Sequence, residues 1–399
     1  MIALHQKTVQ VEAALYLHFP YCISRCTYCD FNAHVAPETT GESRAYIVAL
    51  LRDIDALEGE YRLRSVFLGG GTPSLNSADW LVEVLDRCRR VFEIPPEAEI
   101  TIEANPGTVD EAGLAKLRAG GVNRISFGVQ SFDADILRVL NRVHTPREAA
   151  LAAAAARTAG FDNLSLDLIY GLPGQNLAGW EETLTRALEL EPEHLSIYQL
   201  VVEPGTHLER QVDRGEVELP VEDETLAMDR RTVELLPRAG FRRYEISNWS
   251  QPGRECLHNQ IYWRDEPYLG LGCGAVSYIG GWRFRRIRHP VPYARALAEG
   301  RSPLVEAERL GSERALKDGL MLALRTRDGL DLDRVARRYQ ADPRHLQEFL
   351  ESLPDGWVHP INGRASLTGE GLDFWNEIYL RLMDTALTVH PPAPGSTPS

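Results

Sequence analysis

Six short apolar runs recur through the first half of the chain, and they narrow the fold more than any other feature. They are ALYLHF (14–19), SVFLG (65–69), EITIEA (99–104), RISFGV (124–129), LSLDLIY (164–170) and LSIYQL (195–200). Between them lie amphipathic stretches with helix-start signals, among them SADWLVEVLDRCRRVF from Ser77 and TPREAALAAAAARTAG ending at Gly160. Strands that are apolar throughout, rather than alternately, are covered on both faces, and helical spacers supply that cover. The fold class is therefore α/β with a parallel sheet. Six strand–helix units curve into a partial (β/α)6 barrel that stays open on one side, since closure takes eight.

After Thr206 the rhythm stops. HLERQVDRGEVELPVEDETLAMDRRTVELLPRAGF reads as a loop and an amphipathic helix, and a glycine- and aromatic-rich stretch follows as far as Trp282. Helices return from about Arg309. A helix, a WVHPINGRASLT hairpin and a final helix predict a small, mostly helical, winged-helix-like domain over 305–386. The main core is expected over 16–290, with barrel strands at about 16–205, after an N-terminal segment of 1–15. A chain of 399 residues is long enough for one large core and a smaller one. The proline-rich end, 387–399, reads as disordered.

A net charge of −14 argues against wide electrostatic tracking of nucleic acid. No apolar run approaches the roughly 20 residues of a membrane helix. The opening MIALHQKTVQVEAALY lacks the apolar core of a secretory signal, so a cytoplasmic location is expected. The cysteines are Cys22, Cys26, Cys29, Cys88, Cys256 and Cys273, and the first three share YLHFPYCISRCTYCDFNAH in a C-x-x-x-C-x-x-C spacing. In a reducing compartment, clustered thiols point to metal or catalysis rather than disulfides. A zinc site normally recruits four ligands as two paired motifs, and no second C-x-x-C exists. Three thiolates on one loop suit a cubane iron–sulfur cluster, with Cys22, Cys26 and Cys29 anchoring three irons and one iron left open.

That motif after a first strand, with LGGGTPS after the second, resembles the radical S-adenosylmethionine superfamily. The resemblance implies a [4Fe–4S] cluster whose open iron chelates the amino and carboxylate groups of S-adenosylmethionine. One electron from the cluster would then release a 5′-deoxyadenosyl radical. Polar residues gather at the strand ends, where parallel α/β folds bind ligands. Gly70 and Gly71 let backbone approach a ligand closely. Glu103 ends the third strand, Gln130 follows the fourth, and Asp167 interrupts the apolar fifth, where a carboxylate needs a partner or a ligand. Arg142 can pair with one of these or clamp a carboxylate. The set is similar to the coproporphyrinogen III dehydrogenase-like (HemN-like) branch. This implies that Tyr16, Gly70, Gly71, Thr72, Glu103, Gln130, Arg142 and Asp167 surround S-adenosylmethionine. Tyr28 either packs on the cofactor or fills the loop.

Two subfamilies of that branch compete. The oxygen-independent coproporphyrinogen III dehydrogenase decarboxylates two propionates of a porphyrinogen, extends its motif to C-x-x-x-C-x-x-C-x-C, and carries a longer N-terminal extension. Here Phe31 holds the position of the extra cysteine, and only fifteen residues precede Tyr16. CDFN, and later CLHNQIYW with His258, Asn259, Tyr262 and Trp263 in an H-N-x-x-Y-W signature, resemble the HemW-like heme chaperones instead. The resemblance implies heme as a further ligand, a heme-accepting apoprotein such as a respiratory oxidase, and an electron donor. It allows transient contact with a membrane-bound recipient and leaves oligomeric state and radical turnover open. An imidazole can ligate heme iron and aromatics can flank the macrocycle. Cys256 is an alternative ligand, and Arg283, Arg285, Arg286 and Arg288 are candidates for the propionates. The competing reading makes His258, Tyr262 and Trp263 structural.

Overall fold

The computed structural model describes residues 11–36, 40–57, 61–360, 362–387 and 389. Each of the six apolar runs is a strand: β1 (Val11–Phe19), β2 (Tyr61–Gly70), β3 (Glu99–Ala104), β4 (Arg124–Gln130), β5 (Leu164–Tyr170) and β6 (His194–Gln199). They pair in parallel in that order. β4 is buried at every position except Gly128, as a strand covered on both faces must be. Leu81, Val84, Leu85 and Cys88 of helix Ala78–Val91, and Ala149, Ala152, Ala153 and Ala156 of helix Pro146–Thr158, share one core with Val66, Ile102 and Ile125. The helix starts are set by their caps. Ser77 accepts from the Trp80 amide, and Thr145 closes a reciprocal capping box with Glu148.

The stretch after Thr206 holds more sheet than its glycines imply. It adds β7 (Arg242–Arg243), β8 (Asn248–Ser250), β9 (Tyr268–Leu271), β10 (Val276–Ile279), β11 (Trp282–Arg286) and β12 (Leu304–Arg309). The sheet order is β12-β11-β10-β9-β1-β2-β3-β4-β5-β6-β8-β7, and among the described residues its two ends do not pair. The barrel is therefore partial. β9 lies parallel on β1 as a seventh parallel strand. YLGLGCG disguises it as a turn: Gly270 has no room for a Cβ against the Val276 backbone, and Gly272 (φ +98°) lets the chain leave the strand. The sheet thus runs past both limits of 16–290, starting at Val11 and taking in β12. A buried Asp53 in helix Thr40–Asp55 pins this extension. Its carboxylate accepts from Arg286 Nε (2.7 Å) and Nη2 (3.1 Å), Tyr293 Oη (2.8 Å) and the Gly272 amide (3.2 Å).

The C-terminal unit has its own core, around Leu316, Leu320, Phe349, Trp357 and Leu382. Gly329 (φ +61°) breaks the first helical stretch into helices Ser312–Leu324 and Leu332–Tyr339. Val358 bridges Leu367 within the predicted hairpin, and Arg364–Ala365 also pairs with Leu330–Asp331 ahead of the second helix. Arg325 ties this unit to the core. It lies over the rings of Trp263 (4.3 Å) and Trp375 (5.1 Å) and meets the buried Glu245 at 3.3 Å. Of the proline-rich end, Leu387 is buried in this core and Val389 bridges Ala341; residues 388 and 390–399 lie outside the described residues, as do 1–10. Among the described residues no helix is long and apolar enough to cross a membrane.

Candidate functional site

The cysteine loop follows β1 directly, so it closes over the carboxyl ends of the parallel strands. Cys22, Cys26, Cys29 and Tyr28 line one cleft there. So do Gly70, Gly71, Thr72, Glu103, Gln130, Arg142 and Asp167. Sheet register does the positioning: Glu103 pairs with Ser126, and Asp167 stands between Gly128 and Ser196.

The two carboxylates share a half-buried floor. Glu103 Oε2 accepts from the Gly70 amide at 3.0 Å, and Asp167 Oδ1 accepts from Ser126 Oγ at 3.0 Å. Burial first, and then the charge of Asp167, raises Glu103 to about 7. Burial also raises Asp167, against the donors Ser196 and Ser126. A pair held this way takes up a proton or a cationic ligand. The glycine run follows from the same crowding. A Cβ at Gly69 would stand 2.9 Å from Glu103 Oε2 and 3.0 Å from the Tyr16 ring. Gly70 adopts φ +115°. Gln130 is left-handed without being glycine (φ +67°), at the shift of register between β4 and β5, a kind of strain that collects at functional sites.

The sulfurs receive donors. Thr72 Oγ1 donates to Cys22 Sγ at 3.2 Å, and Arg142 Nη1 donates to Cys26 Sγ at 3.3 Å while its Nη2 holds the Gly128 carbonyl. Arg142 Nε is buried with no partner among the described residues. Donors favour thiolates, whereas burial raises Cys22 and pushes Cys29 to about 11, so metal loading must displace protons. Among the described residues no three His, Cys, Asp or Glu side chains are grouped as ligands of a single metal ion. Convergence on one point is not what a cubane asks of three thiolates that bind three different irons. Three sulfurs on one loop with a cationic donor beside them fit such a cluster.

Tyr16 and Tyr28 take different places. Tyr16 does not line the cleft; it lies under Gly69, and its hydroxyl donates to His18 Nδ1 at 3.0 Å. Tyr28 lines the cleft and also packs against Ile136, Leu140, Ile169 and Leu172. Three residues went unread in the sequence. Ser126 and Ser196 meet Asp167. Asn32 fastens the loop: its Nδ2 donates to the carbonyls of Cys273 (3.1 Å) and Arg288 (2.9 Å), and its own carbonyl accepts from His18 Nε2 (2.9 Å). The serines were legible as polar breaks at sheet-facing positions, and Asn32 stands inside the quoted CDFN.

The H-N-x-x-Y-W residues lie on helix Leu257–Trp263, away from this cleft. Glu99 of β3 caps that helix, accepting from the amides of Leu257 (2.9 Å) and His258 (3.0 Å). His258 is buried, with Nδ1 bonded to Ser65 Oγ and Nε2 to Tyr262 Oη, both at 2.9 Å. Its ring stacks on Phe67 at 4.9 Å. Burial first, then the charge of Arg124, lowers it to about 3, so it is neutral. Both ring nitrogens are thus engaged, and neither is open to heme iron in this arrangement. Cys256 is buried against Glu99 and pushed to about 12 by burial. Tyr262 packs edge-on to Tyr268, and Asn259 sits one turn-position from the cap. Trp263 lines a cavity of about 540 Å³ facing the C-terminal unit. Arg286 is committed to Asp53, Arg283 to Asp318 (2.9 Å) and Arg285 to Glu306 (3.4 Å).

The radical SAM superfamily profile matches residues 16–187. Over 362 residues the chain is 39% identical to the heme chaperone HemW of Mycobacterium tuberculosis, covering 90% of this chain and 91% of the relative. It is 34% identical to heme chaperone HemW of Bacillus subtilis over 373 residues, 91% of this chain and 97% of that one. The solved coproporphyrinogen III oxidase (HemN) from Escherichia coli superposes with a TM-score of 0.81 at 24% identity, covering 94% of this chain and 90% of that one, which is a likeness of fold. Near full-length identity at this level, on a cleft built around three loop cysteines, means that the chain belongs to the HemW heme chaperone family of the radical SAM superfamily.

Proposed function

We propose that this protein is a heme chaperone that holds a [4Fe–4S] cluster, S-adenosylmethionine and heme, and passes heme to an apoprotein such as a respiratory oxidase. The observation that carries the reading is its identity to HemW heme chaperones across nearly the whole length of both chains. Cys22, Cys26 and Cys29 would anchor the cluster, which when bound supplies an open iron for S-adenosylmethionine and an electron to it. Glu103 and Asp167 would meet the ligand's cationic groups, the Gly70–Gly71 backbone and Thr72 would border it, and Arg142 and Gln130 would close the side nearest Cys26. Clustered thiols of this kind keep their function in a reducing cytoplasm, where an electron donor would serve the cluster.

Anaerobic reconstitution followed by parallel hemin titration and incubation with coproporphyrinogen III tests this reading. The protein should retain heme and leave coproporphyrinogen III unchanged. Conversion of that porphyrinogen to protoporphyrinogen IX at enzyme-like rates would overturn the reading and make the chain a dehydrogenase.

A further inference from the structure

The cysteine loop ends in a histidine that the cofactor cleft does not use. His34 follows Phe31 and Ala33, which line the rim of that cleft, and pairs with Tyr21 across two short strands. Asn32 dictates its tautomer. Both hydrogens of Asn32 Nδ2 go to carbonyl oxygens, which can only accept, so the amide has one possible orientation. Oδ1 must then accept, and its partner at 3.2 Å is His34 Nε2, which therefore carries the ring hydrogen. The lone pair sits on Nδ1, which has no hydrogen-bond partner among the described residues. The His289 ring meets the His34 ring edge-on at 4.9 Å and restricts its plane. Burial first, then the charges of His289, Arg25 and Arg288, lowers the basicity of His34, so the lone pair persists at neutral pH. An imidazole that donates through one nitrogen to an amide oxygen and leaves the other open is arranged as metal-bound histidines are.

The surroundings select the metal species. Phe31 is 65% exposed and Ile23 47% exposed, two large apolar side chains open to solvent on the same loop. Arg25 and Arg288 are exposed, and among the described residues neither has a carboxylate partner. A bare cation is repelled by two guanidinium groups. A broad apolar disc with iron at its centre and carboxylates on its edge uses all of these groups.

We propose that His34 Nδ1 is an axial ligand of heme iron, with Phe31 against the macrocycle and Arg25 and Arg288 meeting the propionates. This rests on the heme-binding reading above and moves the ligand from the helix Leu257–Trp263 to the rim of the cluster cleft. Hemin is titrated into the full-length, cluster-reconstituted protein and into His34→Ala, with cluster absorption as the check on folding. Wild type should bind hemin, and His34→Ala should lose the wild-type Soret position and bind about tenfold or more weakly. Added imidazole should restore the spectrum. In unaltered protein, hemin should shield His34 from carbethoxylation, read by peptide mass. If wild type takes up no hemin, the heme-binding reading itself falls. If wild type binds but His34→Ala keeps both spectrum and affinity, or hemin leaves His34 unshielded, the ligand assignment falls while heme binding stands.

Discussion

The cysteine cleft and the helix Leu257–Trp263 carry the two densest motifs of the chain, and the fold treats them in opposite ways. In the cleft, bonding capacity is left over: Arg142 Nε is buried without a partner among the described residues, and Glu103 is raised to about 7 with the Gly70 amide as its donor. On the helix nearly everything is saturated. Both nitrogens of His258 are bonded, Glu99 takes the first amides, and Trp263 Nε1 is buried without a partner among the described residues, beside the second cavity. Residue type therefore does not separate a ligand from a brace. What each side chain is already bonded to separates the two here, since a buried polar group left without a partner costs stability.

The largest expected effect lies in the cleft. Cys26→Ala should abolish cluster absorption and labile sulfide after reconstitution, whereas Cys88→Ala and Cys273→Ala, both buried outside the cleft, should keep them. An intact cluster in Cys26→Ala would erase the distinction between open and closed cysteines. Next comes Asp53→Ala, which strands the buried Arg286 guanidinium; chemical denaturation should show a loss of about 3–5 kcal/mol. His258→Ala should lower stability by about 2–4 kcal/mol, since it empties a packed aromatic site and orphans Ser65 and Tyr262. Its hemin spectrum should match wild type. A changed spectrum with unchanged stability would reverse the assignment of brace and ligand.

The contrast also explains which parts could be read from residues alone. The six strands were legible because two-sided burial writes an apolar run into each, and the cleft because Glu103, Asp167 and the glycines stand at strand ends where such residues are otherwise unfavourable. β9 was not, since Gly270 and Gly272 serve a close approach to Val276 and an exit from the strand, and glycine reads as a turn in either case. The bonding of His258 is hidden in the sequence for a related reason. A histidine in an aromatic motif looks like a ligand until Ser65, nearly two hundred residues earlier, is seen bonded to its ring. Partners that distant leave no local trace in the sequence.

A smaller effect sharpens the cleft side. Glu103 has a folded value near 7 against an ordinary 4.5, so the folded state binds the extra proton. That contribution is fully present below pH 4.5 and is lost as pH rises through 7, while Gln at this position cannot titrate. The stability of the metal-free wild type relative to Glu103→Gln should fall across this window by on the order of 3 kcal/mol, at about 1.4 kcal/mol per pH unit. Asp167 and Arg124 face the same carboxylate, so the titration belongs to the group. A flat difference would mean that Glu103 is already neutralised by a partner and the cleft has nothing left over.

The smallest effect separates four arginines that one stretch of sequence presents alike. Arg286 is sealed against Asp53, Arg283 is half-buried on Asp318, Arg285 pairs with Glu306 in solvent, and Arg288 is exposed beside the cysteine loop. An exposed pair loses in ordering and screening most of what it gains in attraction. Arg285→Ala should therefore change stability by about 0.5 kcal/mol or less and leave hemin affinity untouched, whereas Arg288→Ala, equally harmless to stability, should weaken hemin binding. Loss of hemin in Arg285→Ala would shift the propionate contact to β11 and the sheet edge. The same side chain can brace, decorate or bind, and the difference lies in whether a carboxylate has already claimed it.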